Sequence, residues 1–287
     1  MSKTANETPD LDAKRERLRG ILADIKSAVV AFSGGVDSTC LLAEARDVLG
    51  RENVLAVTLT GSLFPPEEMH ETNALAEGLG VEHAVLEQHP LEVAGLADNP
   101  PDRCYVCKRA LFGAVLDLAE ERGLAEVLDG SNADDARSHR PGKRALEELG
   151  VRSPLMEAGL GKADVRALSR RLELPTADRP SSPCLATRFP YGQPITEAAL
   201  ERVAAAERRL RQLGYAVCRV RDHGDVARIE VPPEQVARLM SRHRGQVAAD
   251  LKALGYAYVT VDLEGYRSGA MDEVLFSAER GTGKAEP

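Results

Sequence analysis

The segment from Ala28 to Ser38 constrains this chain more than any other. Ala28-Val-Val-Ala-Phe32 is a short apolar, β-branched run, the composition of a strand buried in a parallel sheet. Ser33-Gly34-Gly35-Val36-Asp37-Ser38 follows at once, and Thr39 to Ala45 continues at helical spacing. Strand, glycine-rich turn and helix together aim backbone N–H groups and a helix N-terminus at an anion. Gly34 and Gly35 let the main chain approach a phosphate closely, and Ser33 and Ser38 add hydroxyl donors. Asp37 repels phosphate, so its presence is explained by a magnesium ion that bridges it to phosphate oxygens. Neither GxxxxGK[ST] nor GxGxxG occurs here, which sets the loop apart from those two phosphate-binding fingerprints.

Strands alternate with helices on either side of that loop. Leu11 to Ala23 predicts an amphipathic helix, Asn53 to Leu59 a second strand, Pro65 and Pro66 the start of a helix reaching Leu79, Val81 to Leu86 a third strand, and Glu126 to Leu128 a fourth. This rhythm predicts an α/β fold with a doubly wound parallel sheet that binds ligands at the carboxyl ends of its strands. Pro175 to Pro194 is rich in Pro, Ser and Gly and reads as a crossing between domains. Beyond it, Thr196 to Leu213 predicts a helix with Thr196 as N-cap. Tyr215–Arg221 and Val226–Val231 alternate as two strands, and two helices and a strand at Ala257 to Val261 follow. The expected organisation is a domain over residues 11–192 and a smaller α+β domain over 193–276, with disordered tails at 1–10 and 277–287.

The 287 residues suffice for two cores, and 43% hydrophobic with 29% charged residues is the balance of a soluble globular protein. No apolar run approaches membrane-spanning length and no signal-peptide pattern opens the chain, so no membrane partner and a cytoplasmic location are expected. The net charge of -8 argues against nucleic acid as a partner. Five cysteines in a reducing compartment point to metal or sulfur chemistry rather than disulfides.

The loop Ser33–Ser38 resembles the SGGxDS loop of the PP-loop ATP pyrophosphatases, within the HUP-like folds. Gly130-Ser131-Asn132 with Asp134 and Asp135, Arg140-Pro141-Gly142, Arg152-Ser153-Pro154-Leu155, Lys162, the run Pro183 to Gly192, and Arg219 with Arg221 are similar to the LarE family. The similarity runs from about Lys14 to Phe276. It implies ATP-dependent sulfur insertion in the synthesis of the nickel-pincer nucleotide cofactor. ATP would adenylate a carboxylate of pyridinium-3,5-biscarboxylic acid mononucleotide, releasing pyrophosphate, and sulfur would then replace AMP. ATP-binding positions implied by the resemblance are Ser33, Gly34, Gly35, Asp37, Ser38, Gly130, Asn132, Asp135 and Lys162. A homo-oligomer and a separate sulfide donor are also implied.

Cys104-Tyr-Val-Cys107 is a CxxC, and Cys184 follows Pro183. One lineage of the family sacrifices a single cysteine at the Cys184 position. The added CxxC is similar to a three-cysteine branch, which implies Cys104, Cys107 and Cys184 as ligands of a [4Fe–4S] cluster with one iron open for an extra sulfide. A redox dithiol, half of a zinc site and a sacrificial Cys184 compete with that reading. Cys40 and Cys218 are expected to be core thiols.

Lys108, just past the CxxC, would neutralise a cluster or phosphate, against the plainer role of a solvated helix lysine. Asp134 and Asp135 follow a strand end, where magnesium or ribose binding competes with a simple turn. Arg188, Arg219 and Arg221 are candidates for gripping the substrate's phosphate and carboxylates, since guanidinium presents paired donors. Alternation places Arg219 and Arg221 on one strand face. Glu207 and Glu230 match family positions that handle metal or phosphate. Tyr105, Phe189 and Tyr191 either line the pocket or pack, and His223 reads as a turn residue. The expected catalytic set is Cys184, Asp37, Lys108 and Arg188.

Other classes use the same loop. A cluster-dependent tRNA thiolase fits poorly with the acidic charge and with the lack of a recognisable RNA-binding appendage. The NAD, GMP and asparagine synthetases use ammonia and have no purpose for three cysteines. A carrier that binds ATP or a cluster without catalysis would release no pyrophosphate.

Overall fold

The alternating pattern resolves into two units, one of Met1–Val93 with Asp102–Ser182 and one of Ala94–Pro101 with Pro183–Pro287. The structure is a computed structural model that describes residues 7–65, 67–135, 141–180, 182–267 and 271. The units divide upstream of the expected boundary at 192 and 193, and residues 94–101 join the second. The reason is local: Ile195 and Gly192 donate backbone hydrogen bonds to Ala97 and Asn99. The Pro/Ser/Gly tract therefore belongs in part to the second unit rather than standing between two.

The first unit begins with α1 (Glu7–Ala23), β1 (Ala28–Ala31), α2 (Val36–Leu49), β2 (Val54–Thr60), α3 (Glu67–Leu79) and β3 (Glu82–Glu87). It continues with α4 (Arg103–Glu121), β4 (Glu126–Leu128), α5 (Pro141–Glu148), α6 (Pro154–Glu157) and α7 (Lys162–Arg171). The four strands form one parallel sheet in the order β3-β2-β1-β4. Because strand side chains alternate, Val30, Ala56 and Leu128 enter one core with Leu18, Leu41 and Leu168. Val29, Val57 and Val127 enter the other with Phe112, Val115 and Leu146. Helices on both faces make the doubly wound fold expected. The strand order reverses between β1 and β4, so their carboxyl ends flank the crevice where such sheets bind ligands.

One expectation is corrected at the N-terminus. Residues 7–10 are helical, in a stretch expected to be disordered. Proline at position 9 is tolerated because first-turn N–H groups have no intrahelical partner anyway. Leu11, Leu18 and Leu22 then bury one stripe of the helix. The expected tail 277–287, Arg140 and Phe276 lie outside the described residues.

The second unit holds a 3₁₀ turn (Leu185–Arg188), α8 (Glu197–Gln212), β5 (Arg219–His223), β6 (Val226–Glu230), α9 (Pro233–Arg238), α10 (Arg244–Ala253) and β7 (Tyr258–Val261). Thr196 caps α8 by accepting from the Ala199 N–H at 3.2 Å. β5 and β6 are antiparallel, β6 and β7 parallel. β5 starts later than the alternation predicts, because the Tyr215 N–H still bonds Leu210 and terminates α8. Tyr215 and Cys218 pack instead into a core with Val220, Ile229 and Leu251.

Candidate active site

The loop after β1 forms as its composition dictates. Gly34 sits at φ +69°, a left-handed conformation in which a Cβ would also lie 3.0 Å from Thr72 Cγ2. The Ser33 N–H donates to Ser38 Oγ at 3.3 Å, and the Gly35 N–H to Ser33 Oγ at 3.4 Å. Gly35 precedes α2, whose first-turn N–H groups project from the crevice end of the helix.

The neighbouring strand brings the second wall. Gly130 follows β4 so closely against α2 that a Cβ would meet Ser38 N at 3.0 Å and Ser38 Cα at 3.2 Å. Asn132 Nδ2 donates to Asp37 Oδ1 at 3.2 Å, and Lys162 Nζ donates to Asp37 Oδ2. Asp135 accepts from the Asn132 N–H at 3.0 Å, and Asp134 from the Lys162 N–H at 2.8 Å. Ser33, Gly34, Gly35, Asp37, Ser38, Gly130, Asn132, Asp135 and Lys162 thus lie along one connected edge of the first unit.

A second network borders it. Lys108 Nζ stands 3.6 Å from Asp129 Oδ2 and 5.6 Å above the Phe112 ring. Asp129, buried at the carboxyl end of β4, also accepts from Ser131 Oγ at 2.7 Å and Ser153 Oγ at 2.5 Å. Asp129 went unassigned as a site residue, although a carboxylate just past a strand end was the signal available. Cys104 and Cys107 are half-buried near the start of α4, about one turn apart. Tyr105 faces outward, donating to Glu148 at 2.6 Å with Arg144 stacked at 3.9 Å.

In the second unit Cys184 precedes the 3₁₀ turn, and buried charges hold that turn from below. Arg188, 1% exposed, donates through Nη1 to the Pro183 and Cys184 carbonyls at 2.7 and 3.1 Å. Its Nε and Nη2 bond Glu207 at 2.8 and 3.0 Å. Burial opposes the charge of Arg188, but the Glu207 carboxylate outweighs it and raises the guanidinium pKa. Burial likewise opposes the Glu207 carboxylate, and Arg188 overcomes it, leaving the pKa lowered. Arg221 pairs with Glu230 at 2.9 and 2.7 Å and reaches the Thr187 carbonyl at 2.9 Å. Arg219 lies on the same strand face, 5.2 Å from the Tyr266 ring. Burial, and then the charge of Arg188, depress its pKa.

The five cysteines are thiols, with Cys40 and Cys218 fully buried as expected. Phe189 is fully buried too, so it packs. Among the described residues no three His, Cys, Asp or Glu side chains form a metal-binding group. Cys104 and Cys107 belong to the first unit, Cys184 to the second. Nor is any helix among the described residues long and apolar enough to cross a membrane.

Comparison with known proteins agrees with this geometry. Residues 16–97 match the NAD synthase family model. The chain is 42% identical to an uncharacterized protein of Synechocystis sp., over 92% of this chain and 99% of that protein. It is 31% identical to the tRNA-specific 2-thiouridylase MnmA of a Bradyrhizobium species, but over only 54% of this chain and 48% of that one. To the pyridinium-3,5-bisthiocarboxylic acid mononucleotide synthase of Lactiplantibacillus plantarum it is 40% identical over 95% of this chain and 98% of that protein. With the loop, the sheet order and the full-length match in agreement, the chain belongs to the LarE family of PP-loop enzymes.

Proposed function

We propose that this enzyme uses ATP to activate a carboxylate of pyridinium-3,5-biscarboxylic acid mononucleotide and converts it to a thiocarboxylate. The observation that carries the reading is the linked edge of Asp37, Asn132 and Lys162 beside the Ser33–Ser38 loop. A carboxylate is a poor electrophile until one oxygen becomes a leaving group. The substrate oxygen attacks the α-phosphorus of ATP, and the bond to the β-phosphate oxygen breaks with its electron pair leaving on pyrophosphate. Loop amides and Lys162 stabilise the charge that develops there. Asp37 offers a hard oxygen ligand for magnesium, which would offset charge on the same phosphates. Asp135 holds the Asn132 backbone in place beside the site.

Arg219 shares a strand face with Arg221, and burial and then the charge of Arg188 oppose its own charge, which an added anion would relieve. It is assigned with Arg221 to the substrate's phosphate and carboxylates. Arg188 and Glu207 shape the turn that presents Cys184, and Glu230 orients Arg221. Cys104, Cys107 and Cys184 lie outside disulfides, and thiolates are the ligands that a [4Fe–4S] cluster takes. A cluster held by three thiolates would offer an open iron for a sulfide supplied by a separate donor. Lys108 lies one residue beyond Cys107 and would balance negative charge. A homo-oligomer accompanies this reading.

Anaerobic enzyme mixed with ATP, the dicarboxylate mononucleotide and sulfide should release pyrophosphate and AMP and yield thiocarboxylate by mass spectrometry. ATP binding without pyrophosphate release would make the protein a carrier instead. A colourless, iron-free preparation that still turns over would overturn the cluster, and loss of H2S from Cys184 after one turnover would establish sacrifice of that residue.

A further inference from the structure

Arg179 meets the Ser33–Ser38 loop at Gly34, whereas Lys162 meets it at Asp37, within the same unit. Its Nη1 donates to the Gly34 carbonyl at 3.0 Å, and its Nη2 pairs with the Glu71 carboxylate. The space a Cβ on Gly34 would enter is walled by Thr72 Cγ2 and, at 3.6 Å, by Arg179 Nη1. The guanidinium therefore stands at the glycine that lets the loop curl, not at a remote surface.

Its backbone is held as firmly as its head group is exchangeable. Arg166, on α7, donates to the Ala177 carbonyl at 2.7 Å and to the Arg179 carbonyl at 2.8 Å. The Arg179 N–H bonds the Thr176 carbonyl at 3.0 Å, and Thr176 is buried. The same helix begins with Lys162, so one element anchors both cations. By contrast Glu71 is half-exposed, its side chain at 51%. An ion pair with a solvated carboxylate is weak and readily exchanged.

We infer that Arg179 is a binding residue for the β- and γ-phosphates of ATP, and that Glu71 occupies its guanidinium until the nucleotide arrives. The inference rests on the reading that the loop holds ATP. Lys162 and Arg179 would then both meet the leaving pyrophosphate, one from the Asp37 position of the loop and one from Gly34. A planar guanidinium presents paired N–H donors that match phosphate oxygens, which a lysine cannot reproduce. Glu71 competes for the same donors, and its removal favours the anion.

The test compares two ligands on the full chain by calorimetry: magnesium pyrophosphate and AMP. Arg179→Gln should weaken pyrophosphate by about tenfold or more while AMP affinity stays within about twofold. Arg179→Lys should lose several-fold for pyrophosphate only, and it reads the same point should the glutamine variant fail to fold. Glu71→Gln should bind pyrophosphate more tightly than the wild type. Unchanged pyrophosphate affinity in both Arg179 variants, or equal losses for pyrophosphate and AMP, overturns the assignment. Unchanged or weaker pyrophosphate binding in Glu71→Gln overturns the competing role of Glu71. A wild type that binds neither ligand removes the ATP reading itself, and this inference with it.

Discussion

Lys162 Nζ donates to Asp37 Oδ2, joining the first turn of α7 to the first turn of α2 across 125 residues of sequence. The pair places a cation and a carboxylate at the mouth of a loop built to receive phosphate. On the proposed function, nucleotide with magnesium would separate the roles, leaving the lysine for phosphate and the carboxylate for the metal. Lys162→Met should therefore cut pyrophosphate release by about 100-fold or more, the scale of losing one group that stabilises transition-state charge. Asp37→Asn should fall by a similar factor and lose its response to magnesium concentration. Initial rates across a magnesium series decide both, and an Asp37→Asn variant that keeps the wild-type magnesium response would remove Asp37 from metal binding.

The cysteines divide by environment. Burial pushes the Cys40 thiol up to about 12, and it does the same to Cys218, also to about 12. At pH 8 the thiolate of each is a fraction of about one in ten thousand, and only thiolate reacts. Iodoacetamide at pH 8 should label Cys104, Cys107 and Cys184 in the metal-free protein and leave Cys40 and Cys218 untouched. Peptide mass mapping reads the pattern. Labelling of Cys40 or Cys218 before unfolding would contradict the burial described.

Local patterns made the fold legible, and distance hid the site. Ala28–Phe32 and Glu126–Leu128 are apolar runs bounded by turns, so β1 and β4 could be read directly. The glycines after β1 revealed the anion-binding turn. Lys162 carries no local signal that it meets Asp37; only the family resemblance pointed to it. Asp129 and Arg179 had no such help, because their contacts with Lys108 and Gly34 exist only once the chain is wound. Alternation placed Arg219 and Arg221 on one face, but it could not say that Arg221 pairs with Glu230 or that Arg188 pairs with Glu207. Partners that arrive from other elements are the property of the tertiary fold, which period and propensity do not encode.

The Arg188–Glu207 pair offers a test of how the Cys184 turn is held. Removing one member of a buried ion pair strands the other charge, at a cost of about 3–5 kcal/mol. Glu207→Ala should lose stability on that scale in urea unfolding. Arg188→Met combined with Glu207→Leu should recover part of it, since neither member of that pair is left buried alone, while the Val220 N–H loses its Glu207 acceptor and Arg211 its ion pair. The double variant also loses the bonds to the Pro183 and Cys184 carbonyls. Alkylation of Cys184 should then accelerate even where stability is restored. A double variant with wild-type Cys184 reactivity would show that Arg188 does not hold the turn.

His83 links acidity to the strand that leads into the loop. Thr58 Oγ1 donates to the Phe32 carbonyl at 2.7 Å, and His83 Nε2 lies 2.7 Å from the same hydroxyl. The threonine proton is committed to Phe32, so Nε2–H is the donor in the second bond, and the neutral ring accepts at Nδ1 from the Asn73 amide, 2.7 Å away, turned to present its NH2. Burial lowers the His83 pKa below its ordinary 6.5. As pH falls through about 6.5 the unfolded chain takes up the proton first, so it binds more protons than the folded one. Folding stability must then decrease with falling pH until the lower folded-state pKa is passed, and it gains nothing from this group above pH 7. Melting temperature should drop between pH 7.5 and 5.5 by more in the wild type than in His83→Gln, which keeps a donor toward Thr58 but cannot titrate. Parallel melting curves for the two proteins across that range would mean that protonation of His83 does not couple to folding.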